Sequence, residues 1–160
     1  MALSKTRREF LTYIYVGLVS LSVGYLCSSF LLSRVLVRGS SMENTLKSGR
    51  VVWVNKLDRQ PKRGDIVVAN IEGTSVIKRV VAEGGDRVKI DSGNLVTNGV
   101  SQKEPYVSRR SEKSGILENE LIVSENSYIL LGDNRRDSVD SREYGEVTQE
   151  KIVGKVMGVK

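Results

Sequence analysis

Two residues of this chain, Ser41 and Lys78, could together carry out acyl transfer. A serine hydroxyl needs a base to take its proton before it can attack a carbonyl carbon, and histidine is the usual base. The chain of 160 residues contains no histidine, so a Ser-His-Asp triad is excluded. A neutral lysine amine can accept the proton instead. If Ser41 is a nucleophile, the composition therefore favours a hydroxyl–amine pair.

Ser41 follows Gly39 and Ser40 in a polar segment, residues 39–46. Glycine permits a tight turn, which would expose the hydroxyl of Ser41 and a neighbouring backbone N–H. Serine pairs are common in ordinary turns, so this segment alone is more typical of a structural turn.

Lys78 lies within residues 75–82, an apolar run that predicts a β-strand. In a strand it would share one face with Val76 and Val80. Burial among such neighbours disfavours the charged ammonium and lowers the pKa of a lysine, which would supply the neutral base. The alternative is a charged lysine on a sheet edge, where it discourages aggregation.

A third segment, residues 131–145, is dense in polar side chains, with three aspartates, three arginines and two serines. Alternating carboxylates and guanidinium groups form charge-assisted hydrogen bonds that can lock a loop in one conformation. A rigid polar loop of this kind can hold a reactive group in place. A solvated charged loop is the alternative interpretation.

The elements that must position these segments begin with residues 10–33, a run of 24 residues without a charged side chain. A helix of that length extends about 36 Å, more than a bilayer core. The apolar core of a cleaved signal peptide is usually only about 7–15 residues, so the run predicts an uncleaved anchor. Positive charges precede it, which predicts a cytoplasmic segment at residues 1–9 and an extracytoplasmic domain at residues 34–160.

The net charge of +6 is concentrated beside this anchor. Arg34 and Arg38 follow it and oppose the predicted orientation, although two charges do not retain a whole domain. Residues 39–160 carry 20 basic and 18 acidic side chains, a net charge of only +2. This distribution suits anionic lipid and removes the main support for nucleic-acid binding. The single cysteine, Cys27, lies within the anchor, so no disulfide and no Cys/His metal site are expected.

The remainder of the chain predicts a mainly β domain. Eight short runs rich in valine and isoleucine are separated by Gly, Asp and Asn clusters, at residues 35–37, 51–55, 66–71, 76–82, 87–90, 95–97, 128–131 and 152–159. Turn signals at residues 91–94 and 98–99 predict tight connections. Residues 101–126 are polar and charged, and we expect a mobile excursion from the sheet there.

The three segments, in this order after an anchor, resemble the type I signal peptidase family. Residues 39–46 resemble its G-x-S-M-x-P-T-L box, and Lys78 and Arg79 begin its Lys-Arg box. Residues 132–142 resemble the more specific G-D-N-R-x-x-S-x-D-S-R box. The resemblance implies a domain of antiparallel sheets lying on the membrane surface, which removes signal peptides from exported preproteins without a cofactor.

The same resemblance implies roles for particular residues. Ser41 would be the nucleophile and Lys78 the general base, and the Ser41 backbone N–H would hold the oxyanion. The supporting residues would be Ser138, which orients Lys78, together with Asp140, Arg142, Asp133 and Arg79. A shallow pocket for a small substrate residue before the cut would be lined by Val37, Met42, Leu46 and Ile77.

The chain departs from the family pattern at a few positions. Asn44 replaces the usual proline, which we expect to loosen the turn after Ser41, and Glu43 adds a negative charge beside it. Arg136 is unusual in the third box, and Gly84 replaces a proline before Gly85 and Asp86. The compact length is similar to the Gram-positive bacterial branch, and the departures favour a specialised member.

Two other functions fit parts of the pattern. A non-cleaving accessory protein could use the same groove to bind exported or surface-fibre subunits, although it would not need both Ser41 and Lys78. Self-cleaving repressors also pair a serine with a lysine, but the anchor and the lack of a DNA-binding region exclude them. The sequence leaves open the preproteins that are cleaved and the oligomeric state.

Overall fold

The computed structural model describes residues 5–107 and 110–159. It begins with helix α1, Lys5–Leu31, whose 20 residues Arg7–Leu26 are long and apolar enough to cross a membrane and are not buried by the rest of the protein. The helix was expected over residues 10–33 but ends at Leu31. Leu32 and Ser33 instead pair with Asn55 and Val54, because the strand that follows begins without a connecting turn.

The described residues contain eleven strands and a short helix, α2, at Ser141–Tyr144. The strands are β1 Leu32–Leu36, β2 Val51–Asn55, β3 Ile66–Ile71, β4 Thr74–Glu83, β5 Arg87–Asp91, β6 Asn94–Thr97, β7 Val100–Ser101, β8 Leu121–Ile122, β9 Ser127–Leu131, β10 Val147–Thr148 and β11 Ile152–Val156. All pairings are antiparallel, which confirms the mainly β prediction.

Seven strands form the first sheet, in the order β1-β2-β11-β3-β4-β9-β10, and the other four form a second sheet, in the order β7-β6-β5-β8. Strand β4 runs through the middle of the first sheet and carries Lys78. Its C-terminal half pairs with β9, whereas residues 74–78 pair with β3 alone. Among the strands of residues 5–107 and 110–159, none therefore pairs with the other edge of β4 beside Lys78.

The core consists of three apolar clusters. One packs the second sheet against the first and includes Val88, Leu95 and Ile129. The next lies beneath the Ser41 turn and joins Met42 and Leu46 to the strands below them. The third fills the opposite face of β3, β4 and β9. Both faces of β4 are thus covered, as an internal strand of a two-layer protein requires.

The two predicted turns occur where expected. Ser92 and Gly93 both have positive φ angles, 48° and 77°, between β5 and β6. Asn98 and Gly99, at 53° and 77°, do the same between β6 and β7. Two consecutive left-handed residues suit the twist of a tight hairpin. The prediction for residues 152–159 extended too far, because the strand ends at Val156.

The mobility expected of residues 101–126 stays a prediction, but part of that stretch packs against the core. Leu117 and Val123 are buried in the cluster between the two sheets, and Leu121 packs against it. Strands β7 and β8 and a 3₁₀ turn at Gly115–Leu117 also fall within it. The few apolar residues are enough to anchor a largely polar segment. Ser108 and Arg109 of this stretch lie outside the described residues.

Candidate active site

The turn that carries Ser41 is held from below and from one side. Met42 and Leu46 are fully buried under it, and the N–H of Leu46 donates to the carbonyl oxygen of Met42 at 2.8 Å. The carbonyl oxygen of Ser41 accepts a 2.9 Å hydrogen bond from the N–H of Asn134 in the polar loop. Within the described residues, the backbone N–H of Ser41 has no hydrogen-bond acceptor. It is available to an oxyanion of the kind that acyl transfer creates.

The loosening of this turn by Asn44 stays a prediction, but the backbone at this position is one that proline would not allow. Asn44 adopts a φ of 97°, which proline cannot reach because its ring fixes φ near −65°. Its side-chain amide donates to the carbonyl oxygen of Tyr106 at 3.5 Å. Proline at this position would require a different backbone conformation and could not make this contact.

Lys78 is buried, with only 4% of its surface exposed. Its Nζ donates a 2.8 Å hydrogen bond to the Oγ of Ser138. Burial is the largest influence on its pKa, which falls from 10.5 to about 8, and the carboxylate of Asp140 partly opposes that fall. A substantial fraction of the side chain is therefore a neutral amine near pH 8.

Asp140 and Arg142 form a buried ion pair directly behind Ser138. Both nitrogens of the Arg142 guanidinium fork, Nε and Nη2, bond the carboxylate, at 2.8 and 2.9 Å. The N–H of Gly132 donates to the same carboxylate at 3.0 Å. Burial raises the pKa of Asp140, but the hydrogen bonds and the charge of Arg142 outweigh it and the net pKa is lowered. Asp140 thus remains an acceptor for Ser138.

A second buried ion pair fixes the strand next to Lys78. The guanidinium of Arg79 donates to both oxygens of Asp133, at 2.9 and 2.7 Å, and to the carbonyl oxygen of Gly64 at 2.7 Å. Thr45, from the Ser41 turn, donates its hydroxyl to the same carboxylate. Asp133 therefore ties the turn, strand β4 and the polar loop together.

Gly132 explains why the Ser41 turn and the polar loop can approach each other so closely. A Cβ at this position would collide with the side chain of Ser138 and would lie 2.6 Å from the carbonyl oxygen of Ser41. Only glycine fits between the turn and the loop, which explains sterically why the third box begins with glycine.

A cleft of about 810 Å³ opens onto Ser41 and Lys78. It is lined by residues 34–39, Ser41, Met42, Val68 and residues 73–78. Three of the predicted substrate-binding residues, Val37, Met42 and Ile77, border it. The fourth, Leu46, does not border it and lies fully buried in the cluster beneath.

Two residues near the site escaped the sequence analysis. Glu104 is buried and pairs with Arg135, and Tyr106 stacks its ring over Arg79 with 4.0 Å between the guanidinium carbon and the ring centre. Both lie in the stretch expected to be mobile, and no local pattern marks them. Within residues 5–107 and 110–159, no group of three His, Cys, Asp or Glu side chains could hold a metal ion.

Comparisons with known proteins agree with this geometry. Residues 8–159 match the family model described as signal peptidase, peptidase S26. The chain is 33% identical to signal peptidase I T of Bacillus subtilis, over 89% of this chain and 82% of that protein. It is 30% identical to signal peptidase IB of Staphylococcus aureus, over 94% and 88% of the two chains.

A solved structure is similar as well. A signal peptidase I from Enterococcus faecalis superimposes with a TM-score of 0.53 at 30% sequence identity. The match covers 61% of this chain and 97% of that one.

Proposed function

Because the chain belongs to the signal peptidase family, peptidase S26, and is a protease that removes signal peptides, we propose that Ser41 and Lys78 are its catalytic dyad. The observation that carries the proposal is the state of Lys78. Its amine is buried at the end of a cleft that also exposes Ser41, and its pKa is lowered to about 8. A buried, partly neutral amine that shares a cleft with a serine is the arrangement that we propose for a lysine base.

In the acylation step, Ser41 Oγ bonds to the carbonyl carbon of the scissile peptide and its proton passes to the Nζ of Lys78. The resulting oxyanion accepts a hydrogen bond from the Ser41 backbone N–H. The tetrahedral intermediate then collapses, the C–N bond breaks, and the Lys78 ammonium returns the proton to the leaving amine. The signal peptide remains attached to Ser41 as an ester.

Deacylation uses the same base again. Lys78 takes a proton from water, the hydroxide attacks the ester carbonyl, and the C–Oγ bond breaks. Ser41 regains its proton and the signal peptide leaves with a new carboxylate. Ser138 holds the Nζ of Lys78 at 2.8 Å through both steps, and Asp140 with Arg142 holds Ser138.

The cleft suits an extended peptide. The unpaired edge of residues 74–78 flanks one side, and the outer edge of β1, which pairs only with β2, flanks the other. A substrate strand can add backbone hydrogen bonds to such an edge. Val37, Met42 and Ile77 form the apolar wall beside Ser41, where we expect the small residue before the cut to bind.

The proposed location is the cell membrane, with a single span, the N-terminus in the cytoplasm and the catalytic domain outside. Helix α1 fits a membrane-anchored protein. Strand β1 follows it directly, so the cleft lies close to the bilayer from which signal peptides emerge. Arg34 and Arg38 stand at this boundary, where anionic lipid attracts positive charge.

The deciding experiment is cleavage of a purified preprotein by the full chain in lipid. Ser41→Ala and Lys78→Met should each abolish cleavage while circular dichroism and thermal unfolding remain cooperative. Ser40→Ala and Lys89→Met are matched controls, an adjacent serine and a lysine of the second sheet, and should cleave normally. Residual cleavage by either dyad variant would refute the mechanism. Failure of the unaltered chain to cleave, while it still binds the preprotein, would favour the accessory role.

A further inference from the structure

One short segment touches all three parts of the active site without entering the cleft. Residues 104–106, called the strap here, follow strand β7 of the second sheet. None of them lines the cleft that holds Ser41 and Lys78. The strap makes three contacts: one with strand β4, one with the polar loop and one with the turn of Ser41.

The sequence forms the strap as a tight turn. Pro105 presets the backbone for a turn, and the N–H of Val107 closes it by donating to the carbonyl oxygen of Glu104 at 3.1 Å. The chain just before the strap is also fixed, because the N–H of Gln102 donates a hydrogen bond to the carbonyl oxygen of Leu95 in β6. The strap is thus held by the second sheet and projects toward the first.

Its first contact is with strand β4. The ring of Tyr106 lies over the guanidinium of Arg79, 4.0 Å from ring centre to carbon. Arg79 directly follows Lys78 in the chain, and its other nitrogens are already bonded to Asp133 and Gly64. The ring closes the remaining open face of this guanidinium and restricts the strand segment that carries Lys78.

Its second contact is with the polar loop. Glu104 is buried and binds the guanidinium of Arg135, one of the two bonds being 3.1 Å. The hydroxyl of Tyr106 donates to the same carboxylate at 2.9 Å. Arg135 in turn donates to the carbonyl oxygen of Gly132 at 3.0 Å, and its own carbonyl oxygen accepts from Arg142 at 2.7 Å. The strap therefore fixes the loop on both sides of Ser138.

Its third contact is with the turn of Ser41. The carbonyl oxygen of Tyr106 accepts the amide of Asn44 at 3.5 Å. Asn44 holds a positive φ of 97°, a conformation that asparagine tolerates better than most residues. Asn44, which replaces the usual proline of the family pattern, is thus in direct contact with Tyr106 of the strap.

We propose that the strap is a clamp that sets the relative positions of Ser41, Lys78 and Ser138, with Tyr106 and Glu104 as positioning residues. This inference rests on the proposed dyad. It adds that the strap is the element that holds the two dyad residues in position. Displacements of about 1 Å in a catalytic arrangement can cost on the order of a hundredfold in rate. Because the strap does not line the cleft, its loss should reduce turnover and leave substrate binding intact.

The test compares two substitutions of Tyr106 in the full chain, in lipid, with one preprotein-derived peptide. Tyr106→Leu removes the ring from Arg79 and should lower kcat at least about tenfold, with KM unchanged within about twofold. Tyr106→Phe keeps the ring and loses only the bond to Glu104, so it should restore kcat to within about threefold. Lys103→Ala, an exposed residue beside the strap, is the control.

The rates are expressed per active site, counted by titration with an acylating inhibitor and measured well below each variant's melting temperature. Unchanged kcat in Tyr106→Leu would overturn the clamp, as would equal losses in the two tyrosine variants or a loss confined to KM. If Tyr106→Leu does not fold, Glu104→Gln decides, because it keeps the shape of the carboxylate. Its kcat should fall several-fold, and an unchanged kcat would overturn the proposal.

Failure of the clamp and failure of the dyad give different results. A Ser41→Ala variant measured in parallel reports on the dyad alone. If Ser41→Ala still cleaves, the dyad is wrong; if only Tyr106→Leu cleaves normally, the dyad stands and the clamp is wrong.

Discussion

The Nζ of Lys78 lies 2.8 Å from the Oγ of Ser138, a residue 60 positions further along the chain. Although burial raises the pKa of Asp140, hydrogen bonds from Arg142 and Gly132 and the charge of Arg142, with a smaller contribution from Ser138, lower it and keep the carboxylate ionised. The Oγ of Ser138 accepts from Lys78, and because a carboxylate can only accept, we infer that the Ser138 proton is directed toward Asp140. In the proposed dyad, this bond directs one Lys78 proton to Ser138 and leaves the amine lone pair for Ser41.

Ser138→Ala should therefore lower kcat by about ten- to a hundredfold, because a general base contributes through its orientation as well as its pKa. KM should change little, since Ser138 does not line the substrate cleft. The measurement is steady-state cleavage of a peptide substrate, with Ser48→Ala on the exposed surface as the control. Unaltered turnover in Ser138→Ala would show that Lys78 needs no such partner.

Activity should rise with pH through about 8. Only the neutral amine of Lys78 accepts a proton, and burial lowers the pKa of this group to about 8. The chain has no histidine, so no imidazole titration overlaps the profile. The measurement is kcat/KM from pH 6 to pH 10 with a substrate that carries no ionisable group near the scissile bond. Full activity at pH 6 would contradict a lysine base.

Lys78→Met should make the protein more stable at neutral pH, although we expect it to abolish activity. The folded-state pKa of Lys78 lies below its value of 10.5 in the unfolded chain, so the unfolded state binds the proton more tightly. Below about pH 8 this opposes folding by up to about 3 kcal/mol, and the penalty fades as the pH rises toward 10.5.

The check is thermal unfolding of the two proteins between pH 6 and pH 10. The melting temperature of Lys78→Met should exceed that of the unaltered chain at pH 6 to 7, and the difference should shrink at pH 10. Lys89→Met, which alters a lysine paired with Asp91 in the second sheet, should show no such pH-dependent gain. A constant difference at every pH would assign the gain to apolar packing instead.

The sequence was sufficient to predict what depends on local patterns. The valine-rich runs predicted eight strands because β-branched side chains suit a pleated, half-buried surface. The turn at Ser92 and Gly93 followed from residues that tolerate a positive φ. The three chemistry-bearing segments were recognised from residue types at fixed spacing, and Ser41, Lys78 and Ser138 do lie in neighbouring segments of the structure.

What the sequence did not predict depends on contacts between distant residues. Tyr106 meets Arg79, and Glu104 meets Arg135, only because the second sheet directs the strap against the first. Polar residues 101–126 contain too few apolar side chains to produce a recognisable period, although Leu117 and Val123 are enough to bury part of them. The end of helix α1 was also misplaced, because pairing of Leu32 with Asn55 is a tertiary preference that the apolar run does not encode.

A last prediction concerns the face of the first sheet next to helix α1. Two cross-strand pairs form this face, Arg34 with Trp53 and Leu36 with Val51. Trp53 remains 50% exposed, and Arg34 lies over its ring at 5.6 Å. Strand β1 begins where the helix ends, which keeps this face within about 17 Å of the membrane span at about 3.3 Å per residue. Exposed tryptophan, leucine and arginine side chains suit the lipid headgroup region.

Trp53 is the only tryptophan in the chain, so its fluorescence reports on this face alone. In vesicles of the full chain, its emission should shift to shorter wavelength and be quenched by brominated lipid, more strongly when the vesicles contain anionic lipid. Arg34→Gln should weaken the dependence on anionic lipid, because it removes the nearest charge that can bind a phosphate. Arg87→Gln, an exposed arginine of the second sheet, should not. If aqueous iodide quenches Trp53 in vesicles as fully as in the unfolded chain, this face does not contact lipid.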